Sequence, residues 1–193
     1  VFSQSPFSCL QTLPEGTFGG HQAGLTIYPI GELAPNDTPV ADADSNGWPQ
    51  SARNRTLRMI KKANAIHVCG DQHLGSVLRY GIDEYGDGTV AFCTPAIANT
   101  WPRRWMPQGM PILGNHEDGF GNKITVMAVS NPHISGHEPA ALHDRAPGWG
   151  LLICDPSAKS VKINAWPRWA TPRVLDEDQY PGWPITIEHA GKN

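Results

Sequence analysis

The sequence lacks the features that mark membrane proteins and nucleic-acid-binding proteins. No apolar run approaches the roughly 20 residues that cross a bilayer, so we expect no membrane span. A basic segment followed by an apolar leader is not found either, which leaves the compartment open. The formal net charge is −3, from 15 basic and 18 acidic residues. General nucleic-acid binding is therefore not expected, because it requires a basic face.

The four cysteines lack the C-x-x-C spacing of zinc ribbons and thioredoxin-like motifs. Cys9, Cys69, Cys93 and Cys154 are far apart in the chain. The last three lie in apolar runs, where cysteine usually behaves as a small buried hydrophobic residue. The spacing allows a disulfide but does not indicate one.

Composition predicts a mixed fold with much ordered loop. The 193 residues suit one domain or a large part of one, and 18 prolines with seven tryptophans predict long Pro/Gly/Trp-rich loops anchored by aromatics. We expect a loop-rich opening segment over 1–47, an α/β core over 48–165 and an extended tail over 166–193. The absence of an initiator methionine leads us to expect a chain entered midway, after a cleavage or an upstream segment.

Local patterns predict one clear helix and several strands. The helix follows Trp48, with Ser45 or Asn46 as its cap and Pro49 in its first turn, and Leu57, Ile60 and Ala63 lie on one face. Strands are predicted over 25–30, 66–69, 89–93 and 123–130, and a hairpin over 151–154 and 161–165.

The chain is organised around a short polar motif that follows the predicted strand 66–69. The strand stops at Gly70, and Asp71 and His73 follow two positions apart. Ligands collect at the carboxyl ends of strands in open α/β sheets, and a carboxylate with an imidazole suits a divalent metal. The alternative is that Asp71 caps a turn and His73 is a hydrogen-bonded loop residue.

Four further positions are candidates with two interpretations each. His21 is either an ordinary loop histidine or a further metal ligand. Asp42 and Asp44 suit either a cation or the turn that leads into the helix. Arg103 and Arg104, between two tryptophans, are either a bidentate clamp for phosphate or partners of nearby acids in an anchored loop.

Five segments resemble those of the calcineurin-like metallophosphoesterases, specifically the carboxyl-terminal half of alkaline phosphatase D-type (PhoD-like) enzymes. In chain order they are residues 44–53 (DSNGWPQSAR), 70–76 (GDQHLGS), 101–105 (WPRRW), 118–123 (DGFGNK) and 181–187 (PGWPITI). The resemblance extends from about residue 1 to the end of the chain.

The resemblance implies a sandwich of mixed sheets with flanking helices and a metal-dependent phosphoric-ester hydrolase. The family's last metal-binding motif would fall on 70–73, which makes Asp71 and His73 catalytic and metal-binding residues, with His21 as an earlier ligand. Two or more divalent ions (Zn, Fe, Mn or Ca) would activate a hydroxide against a phosphorylated small molecule or phosphodiester. An extracytoplasmic location is slightly favoured.

The family's D-x-H, G-D and G-N-H-D/E motifs have no counterpart upstream of Gly70. We therefore expect either the C-terminal half of a hydrolase, completed by an upstream segment or a partner chain, or a catalytically incomplete binding or structural subunit. A competing alignment assigns these motifs to 71–73, 86–87 and 114–117 instead, with later histidines from 133–143. It requires Asp71, Asp87 and His116 to lie together.

Overall fold

The computed structural model describes residues 1–17, 24–98, 101–174 and 177–188. The fold is mixed α/β, mostly strands in several sheets with few helices. Its elements are β1 (Thr12–Pro14), β2 (Asp37–Pro39), α1 (Gln50–Lys62), β3 (His67–Cys69), β4 (Ser76–Tyr80), β5 (Val90–Cys93), β6 (Gly114–Glu117), β7 (Lys123–Val129), α2 (Ala140–His143), β8 (Gly148–Asp155), β9 (Ser160–Pro167) and β10 (Ile185–Glu188). Neither helix of the described ranges is long and apolar enough to cross a membrane.

The central sheet has five strands in the order β3-β5-β4-β7-β6. β3 and β5 are parallel and the other neighbours are antiparallel. The register aligns Cys69 with Cys93, and Ser76 with both Cys93 and Val129. These four residues therefore mark one edge of the sheet, which we call the carboxyl edge because β3 and β5 both end there.

The first residues of the chain run beside β3. The amide of Val68 donates to Val1 O at 2.8 Å, and the amide of Ser3 donates to Val68 O at 3.2 Å. Phe2 forms a parallel bridge with Val68. The amino-terminal segment thus points toward the carboxyl edge, in the same direction as β3.

A second sheet, in the order β10-β9-β8, packs on one face of the central sheet. One apolar cluster joins residues of both sheets, including Phe92 of β5 and Ile163 of β9. Trp183 and Ile187, from the predicted tail, are buried in this cluster. Helix α1 covers the opposite face, where Leu57 belongs to a second cluster with Leu78. The sandwich therefore has a helix on its outer side.

The predicted helix and most predicted strands are confirmed, with three corrections. Pro49 is the cap of α1 and no side chain caps it; Asn46 instead donates to Ser5 O at 3.0 Å. The strand predicted over 25–30 is only an isolated bridge at Pro29. All four cysteines are free, but Cys154 is exposed, because it lies near the outer end of the β8–β9 hairpin. Strand β4 was not predicted.

Candidate functional site

The predicted motif forms a tight loop at the carboxyl edge. Asp71 (φ 69°) and His73 (φ 53°) both adopt left-handed backbone conformations, which are uncommon for residues other than glycine. Gln72 between them is buried. Its Nε2 donates to Asp44 O, and its Oε1 accepts from Arg103 Nη1 at 2.7 Å. The buried amide therefore holds the loop, with the two candidate ligands on either side of it.

Asp71 lies where the amino-terminal segment and β3 both end. Its Oδ2 accepts a hydrogen bond from Ser5 Oγ at 2.6 Å, and the amide of Gly70 donates to Gln4 O at 2.9 Å. The placement agrees with the sequence-based expectation that this carboxylate lies at the carboxyl end of a strand in an α/β sheet.

His73 is half-buried and surrounded by charges of both signs. Burial lowers its pKa, and the positive charge of Arg103 lowers it further, while Asp71 and Asp44 act in the opposite direction. The net direction favours the neutral imidazole, which is the form that binds metal ions. Arg103, Asp71 and Asp44 are thus close enough to His73 to influence its charge.

Arg103 and Arg104 do not form a common clamp. Arg103 Nη2 pairs with Asp42 Oδ2 at 2.7 Å, whereas Arg104 donates through Nε and Nη2 to both carboxylate oxygens of Asp37 at 2.6 and 2.7 Å. Arg104 Nη1 donates to Thr26 O at 2.8 Å. Arg104 is therefore committed to the fold, and the interpretation that these arginines partner nearby acids describes the structure.

Arg103 retains one unused donor. Its side chain is buried, and its Nε has no hydrogen-bond partner among the described residues. Together with its contact to Gln72, this leaves Arg103 as the arginine whose phosphate-binding role stays a prediction. Asp42 accepts from the amide of Asp44 at 2.9 Å, so these acids form the turn that precedes the helix.

By donor type the loop suits a divalent metal, but by number it falls short. Asp71 and His73 offer oxygen and nitrogen donors. Within residues 1–17, 24–98, 101–174 and 177–188, no group of three or more His, Cys, Asp or Glu side chains could hold a metal ion. The third predicted ligand, His21, lies outside the described residues. The described residues by themselves do not complete a metal site.

The competing alignment is wrong because the structure separates its motifs. Val90 pairs with Arg79 at the end of the sheet opposite the carboxyl edge, and Asp87 caps the turn there, accepting from the amide of Ile82 at 2.6 Å. His116 lies on β6, four strands from β3, or roughly 19 Å at about 4.8 Å per strand. One metal centre cannot include Asp71, Asp87 and His116.

Two residues of the loop environment were missed at the level of sequence. Gln72 carries a signal in retrospect, since a polar residue between two candidate ligands after a buried strand has a supporting role to fill. Ser5 carries none, because it is 66 positions from Asp71.

Comparison with known proteins gives no match: no protein-family model, curated protein or solved structure is significantly similar to the chain.

Proposed function

We propose that the chain is the C-terminal half of a metal-dependent phosphoric-ester hydrolase of the metallophosphoesterase type, alkaline phosphatase D-like. Asp71 and His73 would be two of its metal ligands, and the others would come from an upstream segment or a partner chain. The observation that carries the proposal is the loop itself: oxygen and nitrogen donors flank a buried amide where two parallel segments end.

Backbone strain supports a functional role for the loop. A residue other than glycine in the left-handed region costs on the order of 1–3 kcal/mol, and such residues concentrate at active sites and ligand clamps. Two of them, Asp71 and His73, stand on either side of Gln72. The hydrogen bonds of Gln72 to Arg103 and to Asp44 O hold this conformation.

The charges around the loop suit an anionic substrate next to a metal. A bound pair of divalent ions would polarise the phosphoryl group and supply the attacking hydroxide. The chain's own part is to hold neutral His73 and the Asp71 carboxylate in place and to keep the positive charge of Arg103 nearby. Positive charge at this position would stabilise negative charge that develops on the phosphoryl oxygens.

Elemental analysis of the purified protein, together with any chain that co-purifies with it, tests the proposal. We expect bound divalent metal and hydrolysis of bis(4-nitrophenyl) phosphate. His73→Ala removes a proposed ligand, so metal content and turnover should both fall, turnover by about 100-fold or more. His137→Ala changes an exposed histidine that stacks on Trp169 at 3.9 Å and is the matched control. Full turnover by His73→Ala contradicts the assignment.

The second candidate is a catalytically incomplete subunit that retains the fold for binding or assembly. It is favoured by the presence of only two suitably placed donors among the described residues. A folded wild-type protein that contains no metal and hydrolyses no phosphoric ester, even with its co-purifying chains, would establish this candidate in place of the hydrolase.

A further inference from the structure

A cleft of about 360 Å³ lies beside the end of β7. Its floor includes the buried residues Met106, Ala128 and Tyr180. Its rim consists of apolar side chains that face water: Ile30 is 63% exposed, Leu33 49% and Leu113 48%. The volume falls in the lower part of the range typical of small-molecule sites, which are also concave and mostly apolar. We call this feature the β7 cleft.

The β7 cleft exists because the sheet is narrower at this point. Strand β6 pairs with β7 only as far as Gly114 opposite Val126, so Ala128 lies beyond the end of β6. A loop crosses the gap instead, held by the bridge between Pro29 and Ile134. The cleft is thus built from ordered backbone on both sides.

The β7 cleft shares a wall with the carboxyl edge. The amide of Ser130 donates to Gly75 O at 2.7 Å, and Gly75 is two residues after His73. The side chain of Asn131 bonds the backbone of Trp105 in both directions, at 2.8 and 2.9 Å, and Trp105 is two residues after Arg103. A molecule in the cleft would therefore lie next to the candidate loop.

We propose that the β7 cleft binds the apolar ring or short alkyl part of a small molecule; if the proposed function holds, this part is the alcohol portion of the phosphoric ester. Covering the exposed rim removes apolar surface from water, which is favourable in proportion to the area. A polyhydroxylated alcohol fits poorly, because its hydroxyl groups would meet apolar walls without hydrogen-bond partners.

Two polar groups in the lining would orient such a ligand. Ser130 is buried, and its hydroxyl has no hydrogen-bond partner among the described residues. His133 is half-buried, with Nδ1 at 3.3 Å from Asn131 O. An apolar group with a single oxygen would satisfy these positions, as expected for sites with few polar groups in an apolar lining.

Calorimetric titration of the intact protein with 1-naphthol, an uncharged apolar alcohol, tests the inference. We expect saturable binding of one molecule, and none of myo-inositol, a polar alcohol. Leu113→Glu places a charge on the rim and should weaken naphthol binding about tenfold or more. Met59→Glu introduces the same charge on α1 at a position 73% exposed, and should leave the affinity unchanged.

Leu33→Glu, on the opposite rim, gives a second variant in case Leu113→Glu fails to fold, as judged by circular dichroism. Absence of saturable naphthol binding by the wild type, or unchanged affinity in the folded rim variants, overturns the inference. Naphthol binding requires neither metal nor turnover. Binding without phosphoric-ester hydrolysis therefore contradicts the proposed function alone, and hydrolysis without naphthol binding contradicts the cleft alone.

Discussion

His67 is the centre of a buried polar chain beneath the candidate loop. Its Nδ1 lies 2.9 Å from Tyr80 Oη and its Nε2 lies 2.7 Å from Ser3 Oγ. Tyr80 Oη accepts from the amide of Phe7, and Ser3 Oγ donates to Ser5 O. These directions leave Tyr80 to donate to Nδ1 and Nε2–H to donate to Ser3, so the imidazole is neutral and every group is satisfied.

Protonation of His67 should destabilise the fold. Burial, followed by the positive amino terminus, lowers its pKa from 6.5 to about 4. Above pH 6.5 the histidine is neutral in both states. Between pH 6.5 and 4 the unfolded chain binds a proton that the folded chain does not, so stability falls as the pH falls, by up to about 3 kcal/mol. Urea unfolding across this pH range measures the change.

The control for this prediction is His67→Asn, which keeps a hydrogen-bonding side chain but does not titrate. Its unfolding free energy should decline less between pH 6.5 and 4 than that of the wild type, whatever its stability at neutral pH. His73 and His116 also have lowered pKa values because of burial, but both are present in each protein. Parallel curves for the two proteins would show that His67 is not the sensitive group.

At the scale of the elements, the two sheets meet most closely where β8 crosses β5. A Cβ atom added to Gly150 would lie 2.4 Å from Phe92 Cζ. The Phe92 ring is buried and packs edge-on against Trp183, with centroids 5.8 Å apart. Glycine is therefore needed at position 150 for close approach of the sheets.

Gly150→Ala should lower the free energy of unfolding by about 1–3 kcal/mol, because an extra methyl group in a packed interior displaces its neighbours. Gly24→Ala is the matched control, since a Cβ there has no neighbouring atom within 4 Å in the described structure. Chemical denaturation of both variants measures the difference. Equal stability of the two variants would contradict this account of the interface between the sheets.

At the scale of the whole molecule, a buried ion pair ties together distant parts of the chain. Asp37, at the start of β2, accepts from Arg104 at 2.6 and 2.7 Å and from Thr12 Oγ1 of β1 at 2.9 Å. Arg104 also reaches Thr26 O. Four segments separated by up to 92 positions therefore converge on one salt bridge.

Asp37→Ala should cost about 3–5 kcal/mol of stability, because it leaves the buried guanidinium of Arg104 without its counter-ion. The control is Asp83→Ala, which removes the partner of Arg58 from an exposed ion pair of similar length, 2.8 Å. Exposed pairs contribute less than about 1 kcal/mol. Thermal or urea unfolding compares the variants, and a small effect for Asp37→Ala would show that the pair is not a main support of the loops.

The sequence by itself determined the elements whose signal is local. The amphipathic pattern around Leu57 predicted α1, and the apolar run before Gly70 predicted β3. The placement of Asp71 and His73 after a strand end followed from the same run. Strand β4 escaped notice because Arg79 interrupts its apolar residues and glycines flank it.

Only the tertiary structure decided which distant residues meet. It brought Ser5 to Asp71, Arg103 to Gln72 and Arg104 to Asp37, and it placed β10 in a sheet although its segment reads as a tail. It also separated His116 from Asp71, which the motif spacing alone had left open. Periodicity records which face of an element is buried, whereas contacts between residues far apart in the chain depend on sheet order and register, which no local pattern encodes.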